Sequence, residues 1–219
     1  MKRSYESEIM DDFSIQDERI DEALSELKII NKFLGGISTT KSALNYFIQS
    51  KKDELKILDI GSGSSDNLLS AKSNYPNMQI LSIDKNMRAL SSSENLLEKI
   101  NSNAFELPFK NNSCDIIHSA LFLHHFTEEQ IKILLKEFLR IARIGIIIND
   151  LQRSYLALLG IKILTVLFSK SEMVKNDAPL SVKRGFSKQE ILNLLEDVGI
   201  KNFVIKKKWA FRWMVVIKK

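Results

Sequence analysis

The sequence predicts an α/β fold, a parallel sheet with helices on both faces. Three observations carry that expectation. Short apolar β-type runs at 56–60, 79–84, 114–118 and 144–148 alternate with helical stretches, and strands apolar on both sides need cover over both sheet faces. The first run delivers the chain into a glycine turn, Gly61-Ser62-Gly63, that opens a helix. Near the carboxyl end, two strand-like runs at 203–207 and 211–217 follow each other with no helix between them. That pattern marks an antiparallel pair closing one edge.

Taken in order, residues 16–34 read as an amphipathic helix, with Ile20, Leu24, Leu27, Ile30 and Leu34 at three- and four-residue steps. Gly35-Gly36 ends it. A second short helix is expected over 38–49, followed by a polar hinge at Lys51-Lys52-Asp53-Glu54. The clearest helix spans 127–142: Thr127 and Gln130 form a capping box, and Ile131, Leu134, Leu135, Phe138 and Ile141 share one face. Ser187 and Glu190 repeat that box further on, and Gly199 supplies a stop.

With 219 residues, 44% hydrophobic and 27% charged, the chain suits one α/β domain with small additions and excludes wholesale disorder. Its single cysteine, Cys114, excludes an intramolecular disulfide framework and a Cys-cluster zinc site, and suits a reducing compartment. The first residues run into acidic side chains instead of an apolar core, so no signal peptide is expected. The greasiest stretch, 155–168, is interrupted by Lys162 and is shorter than the ~20 residues of a bilayer span. A soluble, cytoplasmic protein is expected.

Net charge is +5, unevenly spread: residues 1–30 hold nine acids against four bases, and residues 170–219 twelve bases against five acids. A basic tail fits nucleic acid or an anionic membrane. Without arginine-rich or aromatic-interleaved patterning it reads better as a solvated strand face and a frayed end.

Chemistry concentrates at Ile57-Leu58-Asp59-Ile60-Gly61-Ser62-Gly63-Ser64-Ser65-Asp66. Glycine at 61 and 63 admits close approach of a nucleotide to the backbone. Asp84 ends the second strand 21 residues after Gly63, where an ionised carboxylate accepts from both ribose hydroxyls. A dinucleotide site would place a third glycine where this chain has Asp66, and that carboxylate would repel a pyrophosphate. An adenosine cofactor without phosphates and with a cationic methionine end fits better, with Asp59 placed to anchor that end.

These segments resemble the class I S-adenosylmethionine-dependent methyltransferases over about residues 50–217. The likeness rests on Leu58-Asp59-Ile60-Gly61-Ser62-Gly63, Ser82-Ile83-Asp84-Lys85-Asn86, Asn103-Ala104-Phe105-Glu106-Leu107-Pro108-Phe109, Cys114-Asp115-Ile116-Ile117-His118-Ser119 and Leu121-Phe122-Leu123-His124-His125-Phe126. It points to the small-molecule branch, which includes quinone-biosynthesis enzymes. The resemblance implies a Rossmann-like seven-stranded mixed sheet of order 3-2-1-4-5-7-6, last strand antiparallel, under an N-terminal helical lid. Residues 1–52 would be that lid and 53–219 the S-adenosylmethionine-binding domain. It assigns Gly61 and Gly63 to the methionine moiety, Asp84 to the ribose and Asn103-Ala104-Phe105 to the adenine, the family more often having Asp where Asn103 stands. Asp59, Ser62, Lys85 and Ser119, in the same motifs, complete the expected cofactor-binding set.

The methyl acceptor is constrained by what is missing. Nucleobase amino methylation usually uses an Asp/Asn-Pro-Pro-Tyr/Phe motif, where this chain has Ser119-Ala120-Leu121-Phe122, and Cys114 begins an apolar strand where it suits inert packing. His124 and His125 follow the fourth strand and are the catalytic candidates, His125 preferred, since imidazole takes a phenol or enol proton. The alternative is that the pair packs the loop around the cofactor. Some quinol O-methyltransferases place a metal-binding Glu-x-x-Glu-His here; Leu121, His124 and His125 offer no carboxylate, so no metal is expected. Asn149 and Asp150, ending the fifth strand, have two readings of equal weight. Either they polarise the acceptor, or Asp150 caps a helix starting at Leu151 and pairs with Arg153. A weaker likeness of 149–154 and 181–187 is to bacterial methyltransferases associated with polyketide-type phenols.

The helix over 155–168, apolar nearly all round, either buries every face or leaves one for a ligand or partner. The expected activity is methyl transfer to a small, lipophilic phenol or quinol, at oxygen in preference to carbon. The competing readings are a nucleic-acid methyltransferase and a catalytically silent cofactor-binding partner of another enzyme.

Overall fold

Local rules place most elements of the computed structural model, which describes residues 1–15, 17–50, 52–92 and 98–219. After a 3-10 turn at Ile9–Asp11 come α1 (Glu18–Phe33) and α2 (Gly36–Leu44), with Gly35 between them at φ +80°. Gln16 and Lys51, at the start of the expected first helix and of the polar hinge, lie outside the described residues. Then follow β1 (Lys56–Ile60), α3 (Asp66–Lys72), β2 (Gln79–Asp84), α4 (Met87–Ser91), β3 (Glu98–Asn101) and β4 (Cys114–Ala120). A second 3-10 turn, Leu123–His125, leads to α5 (Glu128–Ile141), β5 (Ala142–Leu151), α6 (Tyr155–Phe168), α7 (Glu172–Arg184), α8 (Lys188–Asp197), β6 (Phe203–Lys208) and β7 (Arg212–Lys218). The expected boxes are present at α5 (Thr127 with Gln130) and α8 (Ser187 with Glu190).

The sheet has seven strands in the order β3-β2-β1-β4-β5-β7-β6. Pairs from β3 to β5 are parallel, and β7 runs antiparallel to both β5 and β6. Strand alternation divides the core in two. Leu58, Ile117 and Val215 pack with Leu134, Phe138 and Leu194 of α5 and α8, whereas Ile57, Ile116 and Met214 pack with Leu44, Leu68 and Ala71 of α2 and α3.

Residues 1–52 divide between two places. α2 lies on the sheet face, with Ala43 and Leu44 in the core beside Met214 and Val216. The segment up to α1 packs instead with α6 and α7, Ile20 and Ala23 meeting Ala157, Ile161 and Val174. The fifth strand runs on to Leu151 and α6 starts at Tyr155, later than the expected helix start at Leu151. Ser154 caps α6 by accepting from the Ala157 amide at 3.0 Å. That removes the capping role expected of Asp150.

Candidate functional site

A cavity of about 880 Å³ opens at the carboxyl ends of β1, β2 and β4, under the segment from Tyr5 to Leu34. This is where parallel α/β sheets collect ligands, and the volume falls within the roughly 300–1,000 Å³ of small-molecule sites.

On one side stand the glycine turn and the β2 end. Gly61 and Gly63 have φ of +64° and +49°, a region costly for residues with a Cβ. The two glycines differ in what surrounds them. A Cβ on Gly61 would lie 2.0 Å from Cδ2 of Phe122, whereas one on Gly63 would meet no atom within 4 Å. The crowding at 61 comes from the chain itself; the space at 63 is open. Asp84 accepts from the Gly63 amide at 2.7 Å and from the Asn86 amide at 2.8 Å. Burial pushes its carboxyl above the usual range, opposed by those two amides. Asn103 accepts from the Phe105 amide at 3.2 Å, which fixes the turn and leaves its NH₂ group to donate. Lys85 places its ammonium 4.8 Å from the centre of the Phe13 ring. Asp59, Gly61, Ser62, Gly63, Asp84, Lys85, Asn103, Ala104 and Phe105 all line the cavity.

Ser119 does not, correcting its expected role. His118 and Ala120 line the cavity, and period-two alternation turns Ser119 to the other sheet face. Its hydroxyl is buried there without a hydrogen-bond partner.

On the other side His124 and His125 stack at 4.2 Å between ring centres. Each Nδ1 meets a carboxylate oxygen at 2.7 Å: Asp150 for buried His124, and Asp11 of the N-terminal 3-10 turn for His125. Asp150 also accepts from the Leu151 amide at 2.8 Å and does not line the cavity. Neither expectation for it holds, because Arg153 pairs with Glu190 at 2.6 Å. Asn149 is likewise withdrawn from any acceptor, donating to the Gly36 carbonyl at 2.8 Å and to Thr40 Oγ1 at 3.1 Å. Burial would raise the Asp150 carboxyl, but the charge and hydrogen bond of His124 hold it below the usual range. Asp11 behaves alike: burial would raise it, and His125 and Arg184 together hold it low.

The residues from 121 to 125 offer no carboxylate, but folding brings Glu8 to 3.7 Å from His124 Nε2. Glu8, His124 and His125 place one ligand atom each within 4.8 Å of one another. Folding thus supplies, from the N-terminal segment, the carboxylate that residues 121–125 lack. Burial raises the Glu8 carboxyl above the ordinary glutamate range.

The comparisons with known proteins fit this geometry. Residues 58–148, which hold the end of β1, the glycine turn, Asp84, His124 and His125, match the family described as a methyltransferase domain. Over these residues the chain is similar to a methyltransferase domain, and its strand order is the one that the class I resemblance implies. No curated protein matches it significantly in sequence. Among solved structures, a SAM-dependent methyltransferase from Aquifex aeolicus is 16% identical with a TM-score of 0.64, covering 93% of this chain and 99% of that one. The plantazolicin methyltransferase BpumL in complex with SAH is 15% identical with a TM-score of 0.66, covering 96% and 98%. Magnesium protoporphyrin IX methyltransferase from Synechocystis PCC 6803 with bound SAH is 14% identical with a TM-score of 0.59, covering 87% and 86%. At these identities the likeness is one of fold.

Several parts of this site escaped sequence reasoning. His118 is set opposite Asp59 by the β1–β4 register, and the pair meets at 2.7 Å, both side chains buried. His118 Nε2 then lies 3.0 Å from Thr40 Oγ1, and Asn149 links Thr40 to Arg212, whose guanidinium burial lowers to about 10. Arg212 also donates to the Leu34 carbonyl and to Asn31. Buried Arg184 ties Asp11 to the histidine turn, donating to Asp11 at 2.7 Å and to the His125 carbonyl at 2.7 Å. Phe122, Phe126 and Phe105 form an edge-to-face chain along the cavity wall. Apart from Phe122 with Phe126, these contacts have no local signature, since they join residues far apart in sequence.

Proposed function

We propose that this methyltransferase transfers the methyl group of S-adenosylmethionine to a hydroxyl oxygen of a small, lipophilic phenol- or quinol-type acceptor. The observation that carries the reading is the pairing, in one cavity, of open space over Gly63 beside Asp84 with a half-buried imidazole whose Nδ1 is held by Asp11. In this reading the methionine end lies along Gly61, Ser62 and Gly63, near Asp59. Asp84 accepts from the ribose hydroxyls, Lys85 flanks them, and the Asn103 NH₂ group donates to an adenine ring nitrogen beside Ala104 and Phe105.

With Nδ1–H donating to Asp11, Nε2 of His125 keeps its lone pair. It takes the acceptor proton as the methyl passes from sulfur to oxygen, leaving S-adenosylhomocysteine. His124 is less accessible, and Asp150 acts on it only as a positioning residue. No covalent intermediate is needed, because the sulfonium is already reactive; the chain aligns the partners and excludes water. Residues 1–33 serve as the lid: Arg3 donates to the carbonyls of Arg184 and Phe126, and the Ile9 and Met10 amides donate to Asp177. Ala157, Ile161, Leu164 and Leu27 supply an apolar wall.

Transfer of labelled methyl from S-adenosylmethionine to a panel of lipophilic phenols tests this. His125→Ala should lower turnover about 10²- to 10⁴-fold, the usual worth of a general base, with cofactor affinity unchanged. Equal turnover in that variant would remove His125 from the chemistry, and label in none of the phenols would overturn the acceptor class.

A further inference from the structure

One side of α6 remains unexplained. Its inner face is in use: Ala157, Ile161 and Thr165 are buried, and Gly160 and Leu164 line the cavity. Its outer face is apolar and open. Leu156, Leu159, Ile163, Val166, Leu167 and Phe168 are 52–78% exposed, and nothing among the described residues covers them. Soluble proteins seldom leave so continuous an apolar stripe without a use for it.

The charges within this stretch of chain are of one sign. From Arg153 to Ser171 the sequence has Arg153, Lys162 and Lys170 and no acid. Arg153 is engaged by Glu190, whereas Lys162 and Lys170 are exposed. Glu172 pairs with Lys175, and Glu26 stands at the carboxyl end of α6, its carboxylate accepting from the Lys170 and Ser171 amides and from Ser169, so the free positive charge along the stripe is that of Lys162. Exposed Tyr155 opens the helix and exposed Phe168 closes it, so aromatic rings flank the stripe.

We infer that α6 docks the enzyme on an anionic lipid surface, lying in the plane of the interface with this stripe among the acyl chains. Fourteen residues rise about 21 Å, too short to span a bilayer, and no helix among the described residues is long and apolar enough to do so. A basic, apolar helix of this kind belongs in the interface, where Lys162 and Lys170 carry their ammonium groups up to the phosphates along flexible stems. A second copy of the chain fits the face less well. Lys162 stands at the middle of α6, so two-fold pairing through this helix would bring it against its own copy within an apolar interface. The surface would hold the far side of the cavity wall against the bilayer, where a lipophilic acceptor is concentrated. The docking itself does not depend on the acceptor's identity.

Co-sedimentation of the purified chain with vesicles tests this without cofactor or acceptor. Vesicles of phosphatidylcholine with phosphatidylglycerol should bind it at least about tenfold more tightly than phosphatidylcholine alone, since each basic residue near an anionic surface is worth about 1 kcal/mol. Leu159→Glu with Val166→Glu, both on the open face, should abolish sedimentation while circular dichroism stays native. Lys162→Glu should remove the preference for the anionic vesicle. The proposal is overturned if the chain sediments with neither vesicle, or if the double variant binds as well as the parent. A concentration-dependent dimer that Leu159→Glu disperses would also overturn it and give the face to a second copy.

Discussion

Replacing Gly63 with alanine separates a binding site from a turn that merely happens to contain glycine. The added methyl meets no protein atom within 4 Å, and φ at this residue is +49°. Without ligand, the penalty is therefore the left-handed conformation alone, about 1–2 kcal/mol. For a chain of this size that shifts the melting temperature by roughly 2–8 °C. If the methionine end of the cofactor lies in that space, the methyl also acts as an overpacked contact costing about 1–3 kcal/mol, or about 5- to 150-fold in affinity. Thermal melting and calorimetric titration with S-adenosylmethionine read the two effects apart. A variant that melts within this window and binds the cofactor as tightly as the parent would refute the placement. Gly61→Ala is no substitute, because its methyl would strike Phe122 first.

Three further outcomes follow from the contacts. His118→Ala removes the partner of buried Asp59 and of Thr40. Each hydrogen bond to a charged group is worth about 1.5–3 kcal/mol, so urea denaturation should show at least that loss, and an unchanged midpoint would contradict it. Ser119→Ala deletes a buried hydroxyl with no partner, on the face away from the cavity. Its stability should equal or exceed the parent's, and cofactor affinity should not change; a tenfold loss of affinity would restore Ser119 to the site. Glu8 has a folded-state pKa raised by burial, so the folded protein holds this proton longer than the unfolded chain. Stability from this group is present below the unfolded glutamate value and falls as pH rises through that value towards the folded one. Glu8→Gln should flatten that decline in denaturation curves taken between pH 4 and 7, and an equally steep decline would show that another group is responsible.

What was legible in the sequence was whatever a short stretch determines. The capping boxes at Thr127 and Ser187 and the glycine turn before Asp66 all lie where local rules put them. The complete strand order came from the family resemblance, not from the residues, since β3 is a half-exposed edge strand with little apolar pattern. The expected cofactor-side positions sit within contiguous motifs, and all but Ser119 line the cavity; Ser119 was placed there by reading a strand end without its alternation. The acceptor side was less legible. Asp150 turned out to hold His124, and the carboxylate that holds His125 comes from Asp11, 114 residues earlier. Glu8 and Arg184 reach the same turn from opposite ends of the chain, and only the packing of the N-terminal segment against α7 brings them there.

Calorimetric titration with S-adenosylmethionine, set beside NADH, decides whether the cavity over Gly63 and Asp84 is a site for that cofactor. Saturable one-to-one binding of S-adenosylmethionine is expected, weakened in Gly63→Ala, with none of NADH, whose pyrophosphate would face Asp66. Failure of S-adenosylmethionine to bind, or binding of NADH in its place, would contradict that assignment.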